Sequence, residues 1–301
     1  MNLSPEWKVL LQSPLFAPLH PIIPCLKTEA FPTLEELNAL LASHQPAIAV
    51  QSGCELRFVE QGTGRLAFEA QYEPRCYLSG EVQTRTDNWH DLLNALVWLT
   101  FPKAKAAINV RHYLALTENR PSLTENRHAL TDAEEAASRS ERGAVRDTNT
   151  LLDESGVIVA YADDELAALL KNFKWHELFW QRREEVQAGM GFYIFGHGLY
   201  EKARQPYVGM TGQGLLLAVD PSFFSWPQAQ QLAHLDTLLA DYLADPQHCS
   251  STRELSPVPL LGVPGWTVDN DCAAYYDNTA YFRPGRRESN SIIGRADSDE
   301  S

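Results

Sequence analysis

Four short stretches of this 301-residue chain set imidazoles, carboxylates and amides at spacings that could do chemistry. In NWHDLLNALVWLTFP, residues 88–102, His90 and Asn94 are four apart and stack on one helix face, with Asp91 on the same strip and Trp98 beside it. An imidazole acts as general acid, general base or metal ligand near neutral pH, and an amide can orient it or polarise a substrate oxygen. In AINVRHY, Asn109 and His112 share one face of a following helix and Arg111 lies on another. RDTNTLLDESG carries Arg146, Asp147, Asp153 and Glu154 just before a buried strand. Carboxylates in a strand-flanking loop are common catalytic positions, and they offer hard oxygen ligands to magnesium or calcium. In GMGFYIFGHGLYEK, read as a helix, Tyr193, His197, Glu201 and Arg204 fall on one line. A His-x-x-x-Glu pair could hold a metal or form a base and its orienter. The run is not the HExxH zinc motif, and the alternation in GFYIFGHG also permits a strand.

Each stretch has a plain structural reading as well. His90 could buttress a helix start, Asn94 could bond a neighbouring backbone, and His112 could bridge two helices. Arg146 and Asp147 could pair ahead of an ordinary turn. The glycine-rich stretch could be a tightly packed core helix with an internal ion pair. Taken together, the expectation is an enzyme of hydrolytic or proton-transfer type. Its catalytic set would be His90, Asn94, His112, Arg146, Asp147, His197 and Glu201, with His90 or His197 as base and Arg146 balancing an anionic substrate or intermediate. The sequence names no cofactor: the carboxylates would either orient the base or hold a divalent metal, for which Asp153, His197 and Glu201 are the candidate ligands. The alternative is a noncatalytic module that binds a small ligand or a protein, with Trp89, Trp98 and Trp266 as apolar walls. No nucleophile elbow, dinucleotide fingerprint or P-loop occurs in the chain.

The elements that must position these residues follow from patterning. Trp89, Leu92, Leu93, Leu96, Val97 and Leu99 cover most of the circumference of the first helix, so it should be buried nearly all round, and its polar strip must meet partners or line a cleft. Pro102 ends or kinks it, and a second helix through KAKAAINVRHYLALTENR should pack against it, bringing the two His/Asn pairs across one groove. Thr33 with Glu36 is a capping box ahead of a helix over 34–43. The runs between residues 55 and 72, punctuated by Gly62 and Gly64, predict a hairpin, and Tyr72 to Thr86 reads as loop. Residues 132–146 predict a solvated helix, and GVIVAYA a buried strand at 156–162. Asp163 should cap a helix running to Trp180, and a long segment follows from Glu184 to Gln205. GLLLAVD predicts a strand at 214–219, ahead of an amphipathic helix in WPQAQQLAHLDTLLADYLA. SPVPLLGVPGW should wrap as a loop. The class is α+β, a mainly helical single domain over 1–287 with a small sheet. A proline-rich arm over 11–32 should lie extended across the surface, and 288–301 should be a disordered acidic tail.

Composition bounds the function from another side. Twenty-five lysines and arginines against 39 aspartates and glutamates give a net charge of −14, which disfavours nonspecific nucleic-acid binding. Five widely spaced cysteines without a CxxC argue against a disulfide framework and a structural zinc site. No apolar run approaches the ~20 residues of a membrane span, and the amino terminus lacks a signal-peptide pattern. A cytoplasmic protein is expected, with a small molecule or another protein as its partner.

WHDLLNALVWLTFPKAKAAIN, RDTNTLLDESGVIV, FGHGLYEK, PLLGVPGW and YYDNTAYFRPGR occur in this order. In combination they resemble a bacterial family of proteins of unknown function, number 3025 in that naming. The resemblance spans most of the chain. It implies a bacterial, intracellular, single-domain protein, and carries no activity, cofactor or fold with it.

Overall fold

A computed structural model describes residues 5–26, 30–117 and 132–285 of the chain. In chain order the helices and strands are α1 (Pro5–Gln12), α2 (Leu34–Ala42), β1 (Arg57–Val59), α3 (Tyr72–Ser79), β2 (Glu81–Gln83), α4 (Trp89–Thr100), α5 (Pro102–Thr117), α6 (Asp132–Ser155), β3 (Gly156–Tyr161), α7 (Asp164–Lys171), α8 (Arg183–Gly189), β4 (Met190–Ile194), α9 (His197–Ala203), β5 (Thr211–Ala218), α10 (Gln228–Ala244) and β6 (Ser256–Pro259). The fold is mainly helical with two small sheets, as the patterning implies. One sheet runs β4-β3-β5-β6, with β3 parallel to β5 and antiparallel to β4, and β5 antiparallel to β6. Val157, Ile158, Val159 and Ala160 of β3 are fully buried, which accounts for its continuous apolar run.

α4 is the axis of the site. The Asn88 side chain accepts from the Asp91 amide at 3.0 Å and starts the helix, and every residue from Leu92 to Leu99 is buried. Pro102 has no N–H to lose at the first turn of α5. The next two α5 amides, Lys103 and Ala104, donate to the Asp236 carboxylate of α10 at 3.2 and 2.9 Å. At the carboxyl-terminal end of α10, the buried Arg111 guanidinium donates to the carbonyls of Leu243, Asp245 and His248. Arg111 and Asp236 thus hold α5 against α10 at two points, which fixes the residues α5 presents to its other neighbours.

Several local expectations are corrected. There is no hairpin over 55–72: β1 pairs in parallel with β2, across a connection that contains α3, and an isolated bridge joins Ala49 to Glu55. The segment from Tyr72 read as loop is therefore a helix and a strand; Gly80, at φ 70°, caps α3 and turns the chain. α6 does not stop at Arg146. It runs to Ser155 and passes into β3 at Gly156 without a loop, so Asp153 and Glu154 occupy its last turn. The helix behind Asp163 breaks after α7 at Phe173, which takes φ 59° and sets its ring edge-on to Trp175. The stretch from Glu184 to Gln205 is α8, then β4, then α9, so Tyr193 is on a strand and only His197 onward is helical. The proline-rich arm is not laid on the surface: its prolines open 3-10 turns that bury Leu15, Phe16, Leu19 and Ile23, and Phe16 packs on Tyr200 of α9. In SPVPLLGVPGW, Ser256–Pro259 is an edge strand, where missing proline amides cost least. The tail over 288–301 lies outside the described residues.

Candidate metal centre

The last turn of α6, the first turn of α4 and the first turn of α9 meet at one point. Their approach depends on Gly196, whose N–H and that of Phe195 both donate to the Gly156 carbonyl, at 2.9 and 3.0 Å. A β-carbon at Gly196 would overlap backbone atoms of Glu154, Ser155 and Gly156, so only glycine lets the start of α9 sit this close to the α6–β3 junction. At Gly198 a β-carbon would overlap the Glu154 carboxylate itself.

His90, Glu154 and His197 meet at the junction. His90 Nε2 and His197 Nε2 are 3.1 Å apart, and Glu154 Oε1 lies 3.5 Å from His197 Nε2 and 3.9 Å from His90 Nε2. A point equidistant from the three atoms lies roughly 2.0 Å from each, the length of a zinc–nitrogen or zinc–carboxylate bond. Each imidazole has a carboxylate on its far side. His90 Nδ1 donates to Glu201 Oε2 at 3.1 Å, and Asp153 Oδ2 lies 3.7 Å from His197 Nδ1. Asp153 is in turn paired with the buried ammonium of Lys105.

A carboxylate can only accept, so His90 carries a proton on Nδ1 toward Glu201. His197 Nδ1 faces Asp153, through its carboxylate at 3.7 Å and its backbone, which places the proton of the neutral ring on Nδ1 and a lone pair on Nε2. The two Nε2 atoms, 3.1 Å apart, can then share a proton or a metal cation. With a cation bound, both Nε2 lone pairs would face it. Burial pushes His197 down to about 4, against a smaller upward pull from Asp153, so the ring is neutral, the state in which imidazole binds metals.

The carboxylates are tuned by the same surroundings. Burial alone would raise Asp153, but Lys105 and then His197 hold it below the ordinary carboxylate range. Burial raises Glu154, against the pull of His90. Two acidic groups in the last turn of a helix also oppose its dipole, by typically 0.3–1 kcal/mol each. Lys105 offsets this for Asp153, and a bound cation would do so for Glu154.

The junction opens into a cleft of 420 Å³ whose lining residues are, apart from Leu116, all polar or charged in type. Of the residues singled out from sequence, His90, Asn94, His112, Arg146, Asp153, Glu154 and His197 line it. Asp91 lines it too, holding Arg85 through a backbone and two side-chain hydrogen bonds of 2.7–2.9 Å. Glu201 is brought in through His90. Asp147 is not brought in: it is exposed, does not line the cleft, and lies 3.7 Å from Arg146. Asp153 and Glu201, expected as candidate ligands, sit behind the two imidazoles, and Glu154 completes the group that could hold an ion. Asn109 donates to Glu73 Oε2 at 2.6 Å, and burial raises the Glu73 carboxyl, against the opposing influence of His112 and Asn109. Tyr72, Glu73 and Lys105 carry no mark in a linear reading of the chain, except that Lys105, Asn109 and His112 recur at i, i+4 and i+7 among alanines, the pattern of a buried polar face.

The family profile described as Protein of unknown function (DUF3025) matches residues 56–286, more than half of the chain. The chain belongs to this family. The match takes in all the DUF3025 residues that form the junction and the cleft. Comparison with curated proteins and with solved structures returns no match. No described helix of this DUF3025 protein is long and apolar enough to cross a membrane.

Proposed function

We propose that the protein is a metal-dependent hydrolase of the zinc type, with His90 Nε2, His197 Nε2 and Glu154 Oε1 as the protein ligands. The observation that carries this reading is the triangle of donors with a common centre roughly 2.0 Å from each atom, backed by a carboxylate behind each imidazole. Two histidines and one glutamate leave a coordination position open, as catalytic zinc sites do. The chemistry such an ion supplies when bound is Lewis acidity and the activation of water near neutral pH. The chain supplies the rest. Glu201 and Asp153 fix the imidazole tautomers, and Lys105 keeps Asp153 ionised. Glu73, with its raised affinity for a proton and its Oε2 held by Asn109, is the carboxyl of the cleft suited to exchange one with a substrate.

The test is a zinc titration of protein stripped with a chelator, followed by a screen of nitrophenyl esters and anilides with and without zinc. One zinc per chain, lost in His90→Ala, His197→Ala and Glu154→Ala, together with zinc-dependent hydrolysis, is the expected result. A stripped protein that takes up no zinc at micromolar concentrations would refute the metal reading. Zinc uptake without turnover of any ester or anilide would refute the hydrolytic one.

A further inference from the structure

We propose that Tyr72 is a catalytic hydrogen-bond donor of this centre. The inference rests on the metal reading above and adds a residue to it. Asn94 is one helical turn from His90 on the same face of α4 and is buried to more than nine-tenths. Its Nδ2 donates to the Tyr72 hydroxyl oxygen at 2.7 Å. An amide nitrogen can only donate, so the phenol accepts there and its single O–H must be directed elsewhere. Among the described residues no acceptor is hydrogen-bonded to that O–H, and Tyr72 lines the cleft beside Asn94, His90 and Asp153. The phenol is therefore aimed by a buried side chain, and its proton is available to a group that enters the cleft.

A neutral O–H on the cleft wall that also carries His90, Glu154 and His197 can meet an oxygen on which negative charge develops, the role of an oxyanion donor. Burial keeps this phenol protonated far above neutral pH, so it donates throughout the working range.

The experiment uses the full chain loaded with cobalt(II), whose visible spectrum reports both metal uptake and binding of acetohydroxamate, a mimic of the carbonyl group. Tyr72→Phe should leave cobalt affinity unchanged and weaken acetohydroxamate by about 3- to 10-fold, the yield of one neutral hydrogen bond. Asn94→Asp at pH 8 keeps the contact but reverses its direction, since a carboxylate accepts the phenol proton; it should weaken acetohydroxamate by a similar factor. Unchanged acetohydroxamate affinity in Tyr72→Phe or Asn94→Asp would overturn the role of Tyr72 while leaving the metal centre intact. Failure of the wild type to take up cobalt would bring down the metal reading and this inference with it.

Discussion

Replacing Glu201 by alanine isolates the carboxylate behind one imidazole without touching a ligand. Glu201 Oε2 accepts from His90 Nδ1 at 3.1 Å, and its side chain is 46% exposed, so it makes no buried contact whose loss would confuse the result. A carboxylate of this kind fixes the ligating tautomer and raises ligand basicity, and its loss typically costs 10–100-fold in metal affinity. Solvent screens an exposed pair, which places Glu201 at the low end, about 10-fold or ~1.4 kcal/mol. Asp153 would be a poorer target, because its removal leaves the Lys105 ammonium buried and unpaired. The assay is competition for zinc against a chromophoric chelator at pH 7. Unchanged zinc affinity in Glu201→Ala would refute the coupling.

Three further outcomes follow from the same geometry. Gly198→Ala should displace the Glu154 carboxylate and lower zinc affinity about 10-fold or more, while the melting temperature moves by only a few degrees, because the overlap falls mainly on a flexible side-chain end; calorimetry with a zinc titration checks both. Lys105→Met should cost roughly 3–5 kcal/mol at pH 7 by leaving Asp153 buried without its counter-charge. Because the Asp153 carboxyl is held low in the fold, the stability it contributes is present above the ordinary carboxylate value and is lost as pH falls, so the gap between Lys105→Met and wild type in urea melts should close toward pH 3. Asp236 runs the other way: burial raises it to about 6, so its contribution is present below its unfolded value and is lost as pH rises through 6, by up to about 3 kcal/mol. Urea melts of Asp236→Asn from pH 4 to pH 8 should lack that part of the slope.

How much was legible in the chain depends on how local the cause is. α4 was legible because its burial is written in its own residues, and because a polar strip on a buried helix must face something. His90 and Asn94 followed from that strip. The α+β class and the β3 and β5 strands were legible for the same reason. The end of α6 was not. Two carboxylates in a last helical turn oppose local preference, and only Lys105, 48 residues earlier in sequence, makes Asp153 tolerable there. α9 starts later than the helical reading of GMGFYIFGHGLYEK places it, because the residues before it pair as β4 with β3, and Gly196 packs against Gly156 forty residues away, a long-range approach that no local pattern locates. Tyr72 and Glu73 sit on α3, which is held between β1 and β2 in a parallel pairing, and no short-range pattern announces a parallel pair. Asp147 failed for a simple reason: a helix, not a loop, carries it, and its position on that helix is exposed.

The central claim is that His90, Glu154 and His197 bind one metal ion. A crystal of the zinc-loaded full chain, measured on both sides of the zinc absorption edge, tests it most directly. The account predicts a single strong anomalous peak within about 2.0–2.2 Å of His90 Nε2, His197 Nε2 and Glu154 Oε1, with Asp153 and Glu201 behind the rings. A peak elsewhere, such as at the exposed thiols of Cys25 or Cys272, with none between the two imidazoles, would contradict it.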